Sequence, residues 1–440
     1  MTFDPSPFAA RRAQLAERMR ESGGGVAVIP TAREVLRNGD SEYAYRFGSN
    51  FYYLSGFREP EATLLIIADG SQTRSVLFCR EKNPEREIWD GFRHGPDGAQ
   101  ARFGFDECWP ISELGTRLPD YLADRATVFH CIGADASEDA RIVQAIEAVR
   151  SRARSGVTPP ASVRDLRLLI EEMRLHKQDD ELIAMRRAAQ ISSDAHRRAM
   201  RFARPGCFEY QVEAELMHEF LSQGAQAAAY TPIVAAGANA CVLHYIENRT
   251  QLREGDLLLI DAGCEVDGYA ADITRTFPVS GRFSGPQRDL YELVLAAEMA
   301  AIDKARPGQA YNAYHDAAVA VLTRGLIDLG LLAGELDTLI ETKAYNRFYM
   351  HSTGHWLGLD VHDVGRYKID GGWRPLAENQ VLTVEPGLYI RPADDVPEHF
   401  WNIGIRIEDD VRVSAGEPEI LSHGAPKSIA DIEALMRDRH

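Results

Sequence analysis

Nowhere does this chain run apolar for the roughly 20 residues that cross a bilayer, and it has no excess of positive charge. Lysine and arginine number 49 against 66 aspartates and glutamates, a formal net charge of −17 at pH 7. Nucleic-acid binders need a basic face, so neither a polynucleotide nor a membrane is expected as a partner. Cysteine is scarce and scattered: Cys79, Cys108, Cys131, Cys207, Cys241 and Cys264 form no CxxC pair. In a chain of this length they read as buried free thiols, Cys264 near Asp261 being a small packing residue. The first thirty residues place Arg11, Arg12, Arg18 and Arg20 among alanines and leucines, without an unbroken apolar core or a cleavage site. That predicts a surface helix instead of a signal peptide, and a cytoplasmic protein. There is no GxSxG and no catalytic-cysteine signature, so no nucleophilic side chain competes with metal-assisted hydrolysis.

What is there begins with size. A chain of 440 residues exceeds what one hydrophobic core usually supports, and two domains are expected. Gly25–Ile29, Ala62–Ala68 and Ser75–Phe78 read as strands, and Ile142–Val149 as part of a helix, which makes the first 150 residues an α/β domain. Arg150–Ser162 is rich in Arg, Ser and Pro and reads as a linker. A helix over Leu166–Leu175 then leads into the second domain, so the domains are placed at 1–174 and 175–440. Within the second, Ala203-Arg204-Pro205-Gly206 recurs as Ala305-Arg306-Pro307-Gly308. Each copy ends one helical stretch and precedes another, and a β segment with two acids follows each. Matched helices and matched acid pairs point to a duplicated half-domain.

The acids are Asp261 with Asp272, then Glu385 with Glu408. In Leu257–Phe277 two β-rich runs flank Val266-Asp267-Gly268, and Asp-Gly is a strong hairpin signal. A turn centred on Asp267-Gly268 sets Gly263 opposite Asp272 and makes Asp261 the diagonal neighbour on the same face; a turn one residue earlier sets the two aspartates directly opposite. One aspartate alone reads as a turn cap. Two so close repel, and one must hold a proton unless a cation lies between them. Glu385 ends the strand Val381–Val384 before Pro386-Gly387. Alternation over Gly404–Asp409 points Gly404, Arg406 and Glu408 to one face. An Arg and a Glu there could form a plain buried ion pair; beside three other acids they read as one side of a metal site.

Histidines are concentrated between Met350 and Gly365, with His351, His355 and His362, and His244 lies apart in Leu243-His244-Tyr245. His351 and His355 have HExxH spacing but lack the glutamate, and Gly354 and Gly358 oppose a helix. A loop presenting one ligand and two substrate-facing imidazoles fits better. Four carboxylates and one neutral imidazole carry −4, which balances two divalent cations. Oxygen-dominated ligation suits Mn²⁺, Co²⁺ or Zn²⁺. A metal pair roughly 3.5–4 Å apart can hold a bridging hydroxide and clamp both reacting oxygens.

In this order the segments LIDAGCEVDGYAADITRTFPV (259–279), HWLGLDVHDVG (355–365), LTVEPGLYI (382–390) and NIGIRIEDD (402–410) resemble the dinuclear metallopeptidases of the pita-bread fold. Within that family the similarity is to the bacterial Xaa-Pro aminopeptidases (aminopeptidase P), and DSEYAYR (40–46) and FYYLSGFREPEA (51–62) extend it through the N-terminal domain. The resemblance implies an N-terminal α/β domain like that of creatinase and aminopeptidase P, followed by a pita-bread catalytic domain of duplicated α+β halves. It implies Asp261, Asp272, His355, Glu385 and Glu408 as ligands of two divalent ions, Mn²⁺ by preference with Co²⁺ or Zn²⁺ as alternatives. Asp272 and Glu408 would bridge, and Glu385 would handle the proton of the hydroxide. His244 and His362 would meet the scissile carbonyl, His351 would line the proline pocket, and Arg406 and Tyr389 would orient ligands or touch substrate. One departure is Gly354, where the family carries a bulkier or hydroxyl residue before the ligand.

The implied reaction removes an N-terminal residue from a peptide with proline second, by attack of a metal-bridging hydroxide. Prolidase, restricted to Xaa-Pro dipeptides, shares the five ligands and the layout. Methionine aminopeptidase does not need so long an N-terminal domain, creatinase-like enzymes lack the ligands, and some pita-bread proteins bind partners without metal. The resemblance also implies a homo-oligomer, dimer or tetramer, with Trp89 in EIWDG a candidate contact to a neighbouring subunit.

Overall fold

The computed structural model describes residues 3–438. Its first helix, Ser6–Glu21, differs from a plain surface helix: Arg11 and Arg12 are buried with Leu15, Ala16 and Met19. Arg12 donates to the carbonyls of Leu54 (3.0 Å) and Gly104 (3.2 Å), and the Arg11 guanidinium lies 4.7 Å from the centre of the Tyr53 ring. Aromatic faces and carbonyls accept these cations, so charge pattern alone misreads the helix.

The apolar runs Gly25–Pro30, Thr63–Asp69 and Gln72–Cys79 form the middle of a six-stranded mixed sheet. Its order is 107–110, 72–79, 63–69, 25–30, 127–130, 162–165. Val26, Val28, Leu65, Ile67, Val76 and Phe78 alternate onto one face, against Leu114, Leu118, Leu122, Ile142, Ala145 and Val149 from two helices at helical spacing. The edge strand Ser162–Asp165 pairs in parallel with Thr127–His130, so the stretch read as linker ends in a strand of this sheet. Three of its four residues are exposed, which leaves no apolar pattern to read. Trp89 is 82 % exposed on the short helix Pro84–Asp90.

The chain divides into two compact units between Met173 and Arg174. The second is built from two similar halves. Helices Asp179–Phe202 and Glu209–Ser222 precede the antiparallel strands Ile233–Ala236, Leu257–Asp261 and Thr274–Pro278. Helices Gly285–Ile302 and Ala313–Asp328 precede Val381–Val384, Gly387–Ile390, Ile403–Arg406 and Asp409–Arg412. The two Arg-Pro-Gly segments each join one helix of a pair to the next, where proline stops the helix and Gly206 (φ +92°) and Gly308 (φ +83°) turn the chain. This is the two-domain architecture expected: an α/β domain, then duplicated α+β halves. Among the described residues no helix is long and apolar enough to cross a membrane.

Candidate active site

The aspartate hairpin takes the register set by Asp267-Gly268. Both residues have positive φ, +52° and +82°, as a two-residue turn matched to strand twist requires. Glu265 pairs with Ala270 and Asp261 with Thr274, which sets Gly263 across from Asp272 and leaves Asp261 diagonal to it. Glu385 follows strand Val381–Val384, and Arg406 and Glu408 sit where strand Ile403–Arg406 gives way to Asp409–Arg412. His351, His355 and His362 lie in a stretch without helix, 350–365, pinned by backbone bonds such as Thr383 N–H to His355 O at 2.9 Å. At Gly354 an added Cβ would stand 1.9 Å from the Thr383 carbonyl oxygen. In this chain that close approach depends on the glycine.

These elements converge on a cavity of about 970 Å³ lined by Asp261, Asp272, His355, Glu385, Glu408, His244, His351, His362 and Arg406. One ligand atom each from Asp272, His355 and Glu408 lie within 4.8 Å of one another. His355 Nδ1 is 3.0 Å from the Trp356 carbonyl, so it carries the proton and Nε2 faces Asp272 Oδ2 (3.5 Å) and Glu385 Oε1 (3.6 Å). The His355 and His362 rings stack with centroids 3.9 Å apart. Behind His362, Asp363 is buried between Arg174 (2.5 Å) and Lys177 (3.0 Å), which fixes the loop from the far side.

Tyr389 is the exception among the residues singled out. It does not line the cavity and is 1 % exposed. Its hydroxyl accepts from Arg406 Nη1 at 3.0 Å and stands 2.9 Å from His351 Nε2. His351 Nδ1 faces the Ser352 carbonyl at 2.8 Å, so the tyrosine donates to Nε2. Tyr389 thus stands behind the cavity wall, tied to Arg406 and His351. Arg406 also reaches Asp261 Oδ2 at 2.6 Å and the Thr274 hydroxyl at 3.1 Å.

Three participants carried no sequence signal. The Tyr230 hydroxyl is 2.5 Å from both Asp261 Oδ1 and Asp272 Oδ1, and Thr274 donates to Glu408 Oε2 at 2.6 Å. His315, from helix Ala313–Asp328, lines the cavity with Nδ1 2.8 Å from the Thr353 hydroxyl. A lone Tyr in AAYTP, a Thr in a strand and a His on a helix have ordinary structural readings, so only their tertiary neighbours mark them.

Burial raises the carboxyl of Asp261 against the pull of Arg406. It raises Glu385 to about 7, and it drives Glu408 well above the usual range together with Asp272 and Glu385. Asp272 is held low: burial opposes its charge, but His355 and Tyr230 outweigh that. One arginine and one imidazole thus face four carboxylates, two of them buried and two partly buried, and the cluster is short of positive charge. Oxygen-rich donors with a single imidazole lone pair, converging over a few ångströms, fit divalent cations.

Two family models match: "Metallopeptidase family M24" over residues 183–415 and "Aminopeptidase P, N-terminal domain" over residues 8–129. The chain belongs to metallopeptidase family M24, in its Xaa-Pro aminopeptidase group. It is 45 % identical over 430 residues to the Xaa-Pro aminopeptidase of Escherichia coli K12, covering 98 % of this chain and 97 % of that one. The solved structure of aminopeptidase PepP from Pseudomonas aeruginosa superposes with a TM-score of 0.97 at 49 % identity, over 99 % of this chain and 98 % of that chain. Zinc-substituted E. coli aminopeptidase P in complex with product superposes at 0.95 with 44 % identity, over 99 % of each. The resemblance read from the ligand-bearing segments is borne out, and the chain is a metallopeptidase.

Proposed function

We propose that this enzyme removes the N-terminal amino acid from peptides with proline in second place, using two divalent metal ions, Mn²⁺ by preference. The observation that carries the reading is the convergence of four carboxylates, Asp272 and Glu408 buried and Asp261 and Glu385 partly buried, and one imidazole in a single cavity with further histidines and Arg406. Asp261, Asp272, His355, Glu385 and Glu408 would hold the ions, with Asp272 and Glu408 shared between them. When bound, the ions supply Lewis acidity, lowering the pKa of water and polarising the scissile carbonyl.

The protein's own groups do the rest. Glu385, which lines the cavity, takes the proton released as water attacks and returns it to the departing proline nitrogen. His244 and His362 face the cavity and donate to the oxygen of the scissile carbonyl as it gains charge. Arg406 holds Asp261 and, through Tyr389, His351, so that the wall receiving the proline ring is fixed before substrate arrives. An Xaa–Pro bond is a tertiary amide without an N–H. A site that recognises it needs an apolar wall in place of an N–H acceptor, and Tyr311, Leu243, Ile233 and Trp373 supply one. The cavity lies at the upper end of the usual size range for ligand pockets, which favours peptides over dipeptides.

The test is hydrolysis of Arg-Pro-Pro-Gly-Phe by metal-stripped enzyme with and without Mn²⁺, beside the dipeptide Ala-Pro. Free arginine released only with metal, and the dipeptide cut poorly, is the expected result. Cleavage of the dipeptide alone would make the enzyme a prolidase. No cleavage of either with metal bound would overturn the peptidase reading for these substrates.

A further inference from the structure

His244 sits on a loop, 237–250, with one short 3-10 turn (Gly237–Cys241) and no strand. His244 itself is exposed on the cavity wall, and Val242 (48 %) and Ile246 (56 %) beside it are exposed too. Packing therefore does little to fix the imidazole, yet a group aimed at a reacting carbonyl needs to be fixed within a fraction of an ångström.

The order comes from one carboxylate. Glu209, the first residue of helix Glu209–Ser222, is fully buried and lies outside the cavity lining. Its Oε1 accepts the Ala236 N–H at 2.8 Å and Asn239 Nδ2 at 3.0 Å. Its Oε2 accepts the Tyr245 hydroxyl at 2.8 Å and the Thr250 N–H at 2.7 Å. The Glu209 N–H donates back to the Thr250 carbonyl at 3.0 Å. All four acceptor positions of the carboxylate are thus filled, two from where the loop begins and two from where it returns. The helix N-terminus favours the charge, and burial makes each unmade bond costly.

Tyr245 transmits this to the neighbouring residue. Its ring packs on Ile233, Ala235, Ala240 and Leu259 while its hydroxyl meets Glu209, and His244, one residue earlier, points the other way into the cavity. Resting on the reading that His244 faces the scissile carbonyl, we infer that Glu209 is a positioning residue: through Tyr245 and Thr250 it holds the His244 loop in its catalytic place. A glutamine cannot keep all four bonds, because whichever way its amide turns its N–H₂ faces a backbone N–H, that of Ala236 or of Thr250.

The experiment is a double-mutant cycle on full-length, Mn²⁺-loaded enzyme cleaving Arg-Pro-Pro-Gly-Phe, with bound metal counted for each variant. Glu209→Gln and His244→Ala should each lower kcat by about 100-fold, the cost of a misplacement near 1 Å. KM and metal content should stay within about twofold, and the double variant should be no slower than His244→Ala alone. If Glu209→Gln does not fold, Tyr245→Phe carries the test. It deletes one donor and keeps the ring, and should lower kcat by about 10-fold, without further loss once His244 is alanine. Slow His244→Ala with losses that multiply in the double variant would overturn the inference and leave the role of His244 standing. His244→Ala at wild-type kcat would overturn that role and the inference together.

Discussion

The Tyr230 hydroxyl has one proton and two carboxylates at 2.5 Å, so it can satisfy only one of them by donation. Its contact to the second is favourable when that carboxyl holds a proton or a cation sits close enough to share. Tyr230→Phe removes this support without changing the ligands. We expect Mn²⁺ affinity, measured by titrating stripped enzyme, to fall by about 10–100-fold, the usual cost of losing a group that orients a metal ligand. Unchanged affinity would show that the hydroxyl merely fills space. The contrast with the acids is instructive. Asp261, Asp272, Glu385 and Glu408 were legible because each interrupts an apolar strand where a carboxylate has no structural reason to be. Tyr230, Thr274 and His315 belong to residue types that burial accommodates easily, and nothing about them stands out until the chain folds.

Among the elements, helix Asp179–Phe202 carries the aspartate hairpin. Ser192 accepts the Cys264 N–H at 3.0 Å, Tyr269 donates to Glu181 at 2.9 Å, and His196 Nε2 donates to the Ala262 carbonyl at 3.0 Å. His196 is fully buried and its Nδ1 has no hydrogen-bond partner, so burial pushes it down to about 4. The sign follows. An unfolded histidine takes up a proton near pH 6.5 and the folded one does so only near 4, so stability is lost as pH falls between those values. The loss at this residue is on the order of 3 kcal/mol. Urea midpoints of His196→Gln from pH 7 to 4.5 should fall less steeply than those of the wild type; parallel slopes would rule His196 out as the source. The helix was legible from its periodicity and its Arg-Pro-Gly stop, as was the hairpin from Asp267-Gly268. The strand Ser162–Asp165 was not, because an exposed edge strand needs only backbone partners, and its Arg and Ser read as linker. The N-terminal helix was placed but not its burial, since cation–aromatic contacts leave no periodic trace.

At the scale of the whole molecule, the net charge of −17 keeps the surface hydrated, but the four carboxylates of the site line a cavity. Burial raises three of them, so without metal the folded enzyme binds protons that the unfolded chain releases. A raised carboxyl stabilises the fold only at low pH, and that contribution disappears as pH climbs from the ordinary carboxylate range toward the folded value, about 7 for Glu385. Stripped enzyme should therefore lose stability between about pH 4.5 and 7 at this site, against the slope set by His196. Metal reverses the situation by pairing with the charged forms. At a hundredfold excess over its Kd, one bound ion adds about 2.7 kcal/mol, and each kcal/mol is worth about 2–4 °C in a domain of comparable size. Glu408→Gln separates the two effects. At neutral pH it replaces a carboxyl that must take up a proton to be buried in this cluster with an amide that need not, and it keeps an acceptor for Thr274, so the stripped variant should melt above the stripped wild type. It also removes one of the proposed metal ligands, so with Mn²⁺ the order should invert and the wild type should melt higher. Calorimetry of the four samples reads the crossing directly. Parallel shifts, or a stripped variant that melts lower, would mean that repulsion among these carboxylates does not govern the stability of the empty site.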